Sequence, residues 1–123
     1  MNLSDQKVVE IVKAFAQHCV QELGIRNPAK VVISTKAFSD MPTAGYYDIS
    51  NNRIFVCAKN RAVADVCRTL AHELTHCKQM EDGVVFPEDD EGLQEFEDSA
   101  NQKSGFLVRF YGRKHREIYS DLA

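Results

Sequence analysis

Ala71-His72-Glu73-Leu74-Thr75-His76-Cys77, set within the longer run from Arg61 to Glu81, decides how this chain is read. At about 100 degrees per residue, Val63, Val66, Cys67, Leu70 and Leu74 gather on one side of a helix, and Gly83 follows as a stop. His72 and His76 stand one helical turn apart, so both imidazoles can reach a single point, with Glu73 beside them. They face roughly away from the apolar stripe, on a side shared with Asp65, Thr69 and Gln79, which places them at a cleft rather than among core side chains. The pattern His-Glu-x-x-His arises by chance in roughly one chain of this length in a few hundred, so its meaning depends on its surroundings.

Toward the N-terminus, Ser4 and Asp5 can cap a helix whose apolar positions Val8, Ile11, Val12, Phe15, Cys19 and Leu23 recur at helical spacing before Gly24. His18 and Glu22, four apart on that helix, read as a solvated polar pair. Val31 to Thr35 is a β-branched strand, followed by a turn-rich stretch around Asp40, Pro42 and Gly45. Tyr46 to Ile49 and Arg53 to Ala58, joined by Ser50-Asn51-Asn52, form a hairpin. The sheet is therefore expected to be small and mostly antiparallel. Toward the C-terminus, an acidic loop through Pro87, Glu88, Asp89, Asp90 and Glu91 leads to a last helix from about Leu93 to Tyr111. It lacks the spaced ligands of a calcium loop and reads as solvated surface. The order is helix, small sheet, helix, loop, helix: one α+β domain over residues 1–123.

A catalytic metal held by two histidines calls for a third protein donor and an open position for water. Asp82, Glu95, Glu97 and Asp98 are the candidates. Asp82 has the spacing of a third ligand in a longer motif, but that motif turns the chain at a glycine, and Gln79 stands there. On the last helix Leu93, Glu97, Ala100, Ser104, Leu107 and Tyr111 share one face, on which Glu97 is the single charge. A carboxylate turned toward a core is costly unless paired, and a metal is a good partner. Glu95 and Asp98 lie on more polar faces. Asn101, one turn beyond Glu97, either steadies a ligand or is simply exposed.

With His-Glu-Leu-Thr-His at 72–76 and, 21 residues beyond His76, Glu97-Asp98-Ser99-Ala100-Asn101 fitting Glu-x-x-Ala-Asn, the chain resembles the gluzincin metallopeptidases. The likeness is to compact bacterial and phage-type zincins and spans about Tyr46 to Asn101. It implies a zincin-like fold, one zinc per chain on His72, His76 and Glu97, and Glu73 as general base. It further implies that 54–58 is an edge strand pairing with an extended peptide or protein substrate. Larger gluzincins add a Tyr or His that stabilises the oxyanion, for which Tyr111 and His115 are the candidates.

Composition narrows the alternatives. A net charge of −3 and a pI near 5.8 provide no overall attraction to nucleic acid or anionic membranes. The local cluster Arg109, Arg113, Lys114, His115 and Arg116, with Phe110 and Tyr111 interleaved, is the rival nucleic-acid reading, and Glu117 and Asp121 following at once weigh against it. Cys19, Cys57, Cys67 and Cys77 have neither zinc-knuckle nor disulfide-framework spacing and are expected as reduced thiols. With no leader pattern and no apolar run near the ~18 residues that cross a bilayer, a cytoplasmic protein is expected. A zinc-binding or protein-interaction module without turnover is the other class to weigh. Glu73 argues against it, since a purely structural metal needs no base.

Overall fold

The computed structural model describes residues 3–36 and 44–119. Helix α1 (Asp5–Leu23) starts where the Ser4 hydroxyl accepts from the Lys7 amide and ends at Gly24, in the left-handed conformation. Strands β1 (Lys30–Ser34), β2 (Gly45–Asp48) and β3 (Arg53–Cys57) precede helix α2 (Val63–Glu81). Helix α3 (Asp90–Gly112) and a 3-10 turn at Arg116–Tyr119 follow. The architecture is α+β with a three-stranded mixed sheet. No helix among the described residues is long and apolar enough to cross a membrane.

The strand order is β1-β3-β2, with β1 parallel and β2 antiparallel to β3. The sheet is thus mixed rather than mostly antiparallel, with β1 and β2 on opposite sides of β3 and only the β2–β3 pairing antiparallel. Residues 54–58 are also not an edge, since β3 is hydrogen-bonded on both sides, and among the described residues β2 is the outer strand on the hairpin side. Alternation reveals which face of a strand is buried, here through Ile54 and Val56 at 0% exposure, but not how many neighbours the strand has. Gly45 is likewise not in a turn. It is the buried first residue of β2, while Asp40 and Pro42 lie outside the described residues.

Helix α2 is the centre of the molecule, packing on α1, α3, β2, β3 and the 3-10 turn. Its buried residues include the expected Val63, Val66, Cys67, Leu70 and Leu74, and also Ala71, Thr75, His76 and Cys77. Helix α3 packs along α2 over His76 and Thr75, while Cys77 meets the hairpin, its thiol 3.7 Å from Asn52 Oδ1. The helix ends in a Schellman motif, with the Gly83 amide donating to the Met80 carbonyl and the Val84 amide to that of Gln79. Gly83 carries φ +77, the left-handed conformation that glycine adopts without penalty. The acidic stretch before α3 is not free loop. Asp89 caps the helix by accepting from the Gly92 amide at 2.8 Å, and Asp90 and Glu91 sit in the first turn, where their charge suits the helix dipole. All four cysteines are free thiols; burial pushes Cys67 up to about 12, so it stays protonated and behaves as a small hydrophobe.

Two contacts set the frame of the cleft. At Gly45 a Cβ would lie 2.8 Å from the Phe55 carbonyl oxygen and 2.8 Å from the Thr69 methyl, so the strand can run beneath α2 only because that atom is missing. Gly45→Ala is expected to lower stability by about 1–3 kcal/mol, measured by denaturant unfolding. At the other end of α2, the Glu81 carboxylate accepts from the amides of Arg26 and Asn27 at 2.7–3.0 Å, tying the α1–β1 connection to the helix. Those backbone hydrogen bonds hold its carboxyl below the ordinary carboxylate range. The stability this provides is present above the unfolded pKa and is lost as pH falls through the lower folded value. Between about pH 6 and about pH 3, thermal unfolding should therefore show a larger loss for the parent chain than for Glu81→Gln.

Candidate metal centre

The geometry of α2 brings His72 and His76 to one side, and the crossing of α3 brings Glu97 onto them. Their atoms converge closely: His72 Nε2 lies 3.0 Å from His76 Nε2 and 3.0 Å from Glu97 Oε2, and His76 Nε2 lies 3.2 Å from Glu97 Oε1. The two imidazoles stand nearly perpendicular, at 88°. Ligands about 2.1 Å from a tetrahedral zinc are about 3.4 Å apart, close to this triangle. Two imidazole lone pairs and a carboxylate directed at one point repel one another unless a cation lies between them. The group could hold a metal ion, and it is the one such cluster among the described residues.

Of the three, His76 is held from behind. His76 is buried and lies flat against Phe96, with ring centroids 4.7 Å apart and planes 13° from parallel. Its Nδ1 is 2.7 Å from Gln79 Oε1. The amide oxygen accepts only, so Nδ1 carries the proton and Nε2 offers its lone pair toward the cluster. This outer contact orients a histidine and raises its basicity as a ligand. The sequence places Gln79 on the histidines' side of the helix but does not reveal its contact with His76, and it does not single out Phe96. The available signals were Gln79 one turn after His76 and Phe96 in line with Ala100 and Leu107 on α3.

Glu73 stands between two clefts. One, of about 100 Å³, is lined by Tyr47, Ile49, His76, Met80, Phe86 and Phe96 together with Glu73 and Glu97. The other, of about 260 Å³, includes Ala44, Gly45, His72, Asn101 and Ser104. Burial raises the Glu73 carboxyl above its ordinary range; nearby His72 opposes that shift and Glu97 adds to it. A carboxylate reaching both clefts from the first histidine's neighbour can exchange a proton with a molecule beside the cluster.

The remaining candidates fall elsewhere. Asp82 ends α2 and pairs with Lys78 at 3.0 Å. Glu95 is exposed, and Asp98 accepts from the Gln94 amide group. Asn101 is exposed and borders the larger cleft; its main-chain carbonyl accepts from the Ser104 hydroxyl. No hydrogen bond from its side chain to a ligand is present among the described residues. Tyr111 and His115 stack on each other at 4.0 Å beside Phe15 and His18. Tyr111 is 14 residues beyond Glu97 on α3 (111 − 97), about 21 Å along the axis at 1.5 Å per residue, too far to meet chemistry at the cluster. Neither is an oxyanion residue here. The basic side chains nearby are exposed, with Arg113 over Phe110 and Arg116 over Tyr119.

No protein-family model, curated protein or solved structure matches this chain. The site is therefore read from its own residues. Metal content by elemental mass spectrometry should fall sharply in Glu97→Ala and His76→Ala. Gln79→Ala should retain binding with about tenfold weaker affinity or more, as expected when an outer partner of a ligand is removed.

Proposed function

We propose that the chain is a zinc-dependent metallopeptidase of the gluzincin type, with a zincin-like arrangement of its helices and sheet. The observation that carries this reading is the convergence of His72, His76 and Glu97 on one point with Glu73 set between two clefts. Two imidazoles and one carboxylate form a donor set that suits zinc and leaves a position for water. When bound there, zinc lowers the pKa of its water toward neutrality and polarises a carbonyl.

The chain's own residues supply the rest. Glu73 takes the proton of the attacking water on its carboxylate and passes it to the leaving amine as the peptide bond breaks. His76 is kept in the ligating tautomer by Gln79 and in place by Phe96. Residues Gly45 and Tyr47 of β2 line the larger and the smaller cleft respectively, so a peptide lying across both clefts passes Glu73.

The test is hydrolysis of fluorogenic peptides by the zinc-loaded protein. Glu73→Gln should retain the metal and lose at least about a hundredfold in kcat/KM, the magnitude expected for a general base. A metal module without turnover would bind zinc and cleave nothing in either form, and that outcome would replace this reading.

A further inference from the structure

The outer face of α3 carries a feature that neither the core nor the metal cluster requires. Phe106 and Phe110, one turn apart, are 52% and 54% exposed, with ring centroids 5.0 Å from each other. A cation stands over each: Lys103 Nζ is 5.6 Å from the Phe106 centroid, and the Arg113 guanidinium carbon is 5.2 Å from that of Phe110. Arg116 lies over the exposed Tyr119 in the same way, at 4.7 Å. Neighbouring aromatic rings left in water are unfavourable for a surface that meets nothing. The charge is equally one-sided. Lys103, Arg109, Arg113, Lys114 and Arg116 are all exposed, and no Asp or Glu occurs from 99 to 116, in a chain whose net charge is −3. Glu117, whose charge weighs against a nucleic-acid face in the sequence, meets His115 at 3.3 Å rather than any of these five, and Asp121 lies outside the described residues.

From this pairing of ring and cation we infer that the outer face of α3 binds single-stranded nucleic acid, each exposed ring stacking a base while the cation beside it meets the adjoining phosphate. Two hollows bracket the rings. Phe106 borders one of about 400 Å³ with Lys78, Gln102 and Lys103, and Phe110 borders one of about 330 Å³ with Tyr111 and His115. In the second, the exposed His115 lies flat on Tyr111, with rings 4.0 Å apart and 11° from parallel, and Glu22 forms part of the wall. A base edge offers amino hydrogens to such a carboxylate, whereas a lipid headgroup phosphate is repelled by it. A second copy brought face to face would set the five cations against themselves. A duplex hides its base faces in its own stack, so a single strand is the form that the rings fit. Phe106 and Phe110 are 9 and 13 residues beyond Glu97 on α3 (106 − 97 and 110 − 97), about 14 and about 20 Å along the axis. The surface therefore stands apart from the metal clefts, and the inference does not rest on the peptidase reading.

The experiment follows the fluorescence anisotropy of labelled single-stranded DNA, single-stranded RNA and duplex DNA of one length on adding the full chain. One or both single strands should bind more tightly than the duplex. Raising salt from about 50 to about 200 mM should weaken that binding by about tenfold or more, as the release of counterions from about three phosphates requires. Phe110→Ala should lose about fivefold or more in affinity, the contribution of one stacked base, and Phe110→Tyr should keep it. Arg113→Gln combined with Lys114→Gln should flatten the salt dependence. These side chains are exposed, so circular dichroism and metal content should match the parent chain in every variant. No binding at low salt, a duplex bound as tightly as a single strand, or an affinity indifferent to Phe110→Ala would overturn the inference. Capture by vesicles of anionic lipid, or self-association, that Phe110→Ala abolishes while no strand is bound would overturn it too, and would assign the face to a membrane or to a second copy.

Discussion

Helix α2 has to satisfy two demands with one cylinder. One side carries the aliphatic residues that hold α1 and the sheet, and the other must bring two imidazole nitrogens to a common point without exposing them fully to water. The second demand is met by α3, which lies across α2, contributes Glu97 and covers His76 with Phe96. Burial of an imidazole is tolerable only when its nitrogens have partners: Gln79 is the partner of Nδ1, and a cation held by the cluster would be that of Nε2. The apolar core and the polar cluster are therefore two faces of the same helix packing.

This arrangement links the cluster to the stability of the fold. The three donors come from two helices separated by the loop from Asp82 to Asp89, so a cation held between them would cross-link α2 to α3. Binding to a site that exists only in the folded chain adds its free energy to folding. Without that cation the histidines and the carboxylate rely on the Phe96 stack, the Gln79 hydrogen bond and the aliphatic contacts beneath to remain together.

Much of this was legible in the sequence because it depends on local periodicity. The α1 cap at Ser4, its stop at Gly24, the span of α2, the hairpin and the inward placement of Glu97 all follow from spacing that each segment carries by itself. What escaped depends on contacts between segments. Residues 54–58 alternate like any half-buried strand, and nothing in that alternation records a parallel neighbour arriving from Lys30–Ser34. Gly45 resembles a turn residue until the Phe55 carbonyl and the Thr69 methyl are seen to occupy the space a side chain would need. Tyr111 shares a helix with Glu97 but sits at its opposite end, where it packs on α1 and stacks on His115, which lies just beyond the helix. Asp89 read as part of a charged loop and is a helix cap, since the acidic residues that stay solvated are also the ones that favour a helix N-terminus.

The position of β2 as the outer strand of the sheet among the described residues has a second meaning. A strand with backbone donors and acceptors facing outward can pair with any extended segment that arrives, including the same strand of another copy. Here the strand is only Gly45–Asp48, four residues long, and its outer-face ring Tyr46 is stacked on Phe55 at 4.9 Å rather than left free. So short a strand provides few ladder bonds to a stray partner, and lasting attachment then needs further contacts in the adjoining clefts. Brevity at this edge thus acts as protection against self-assembly.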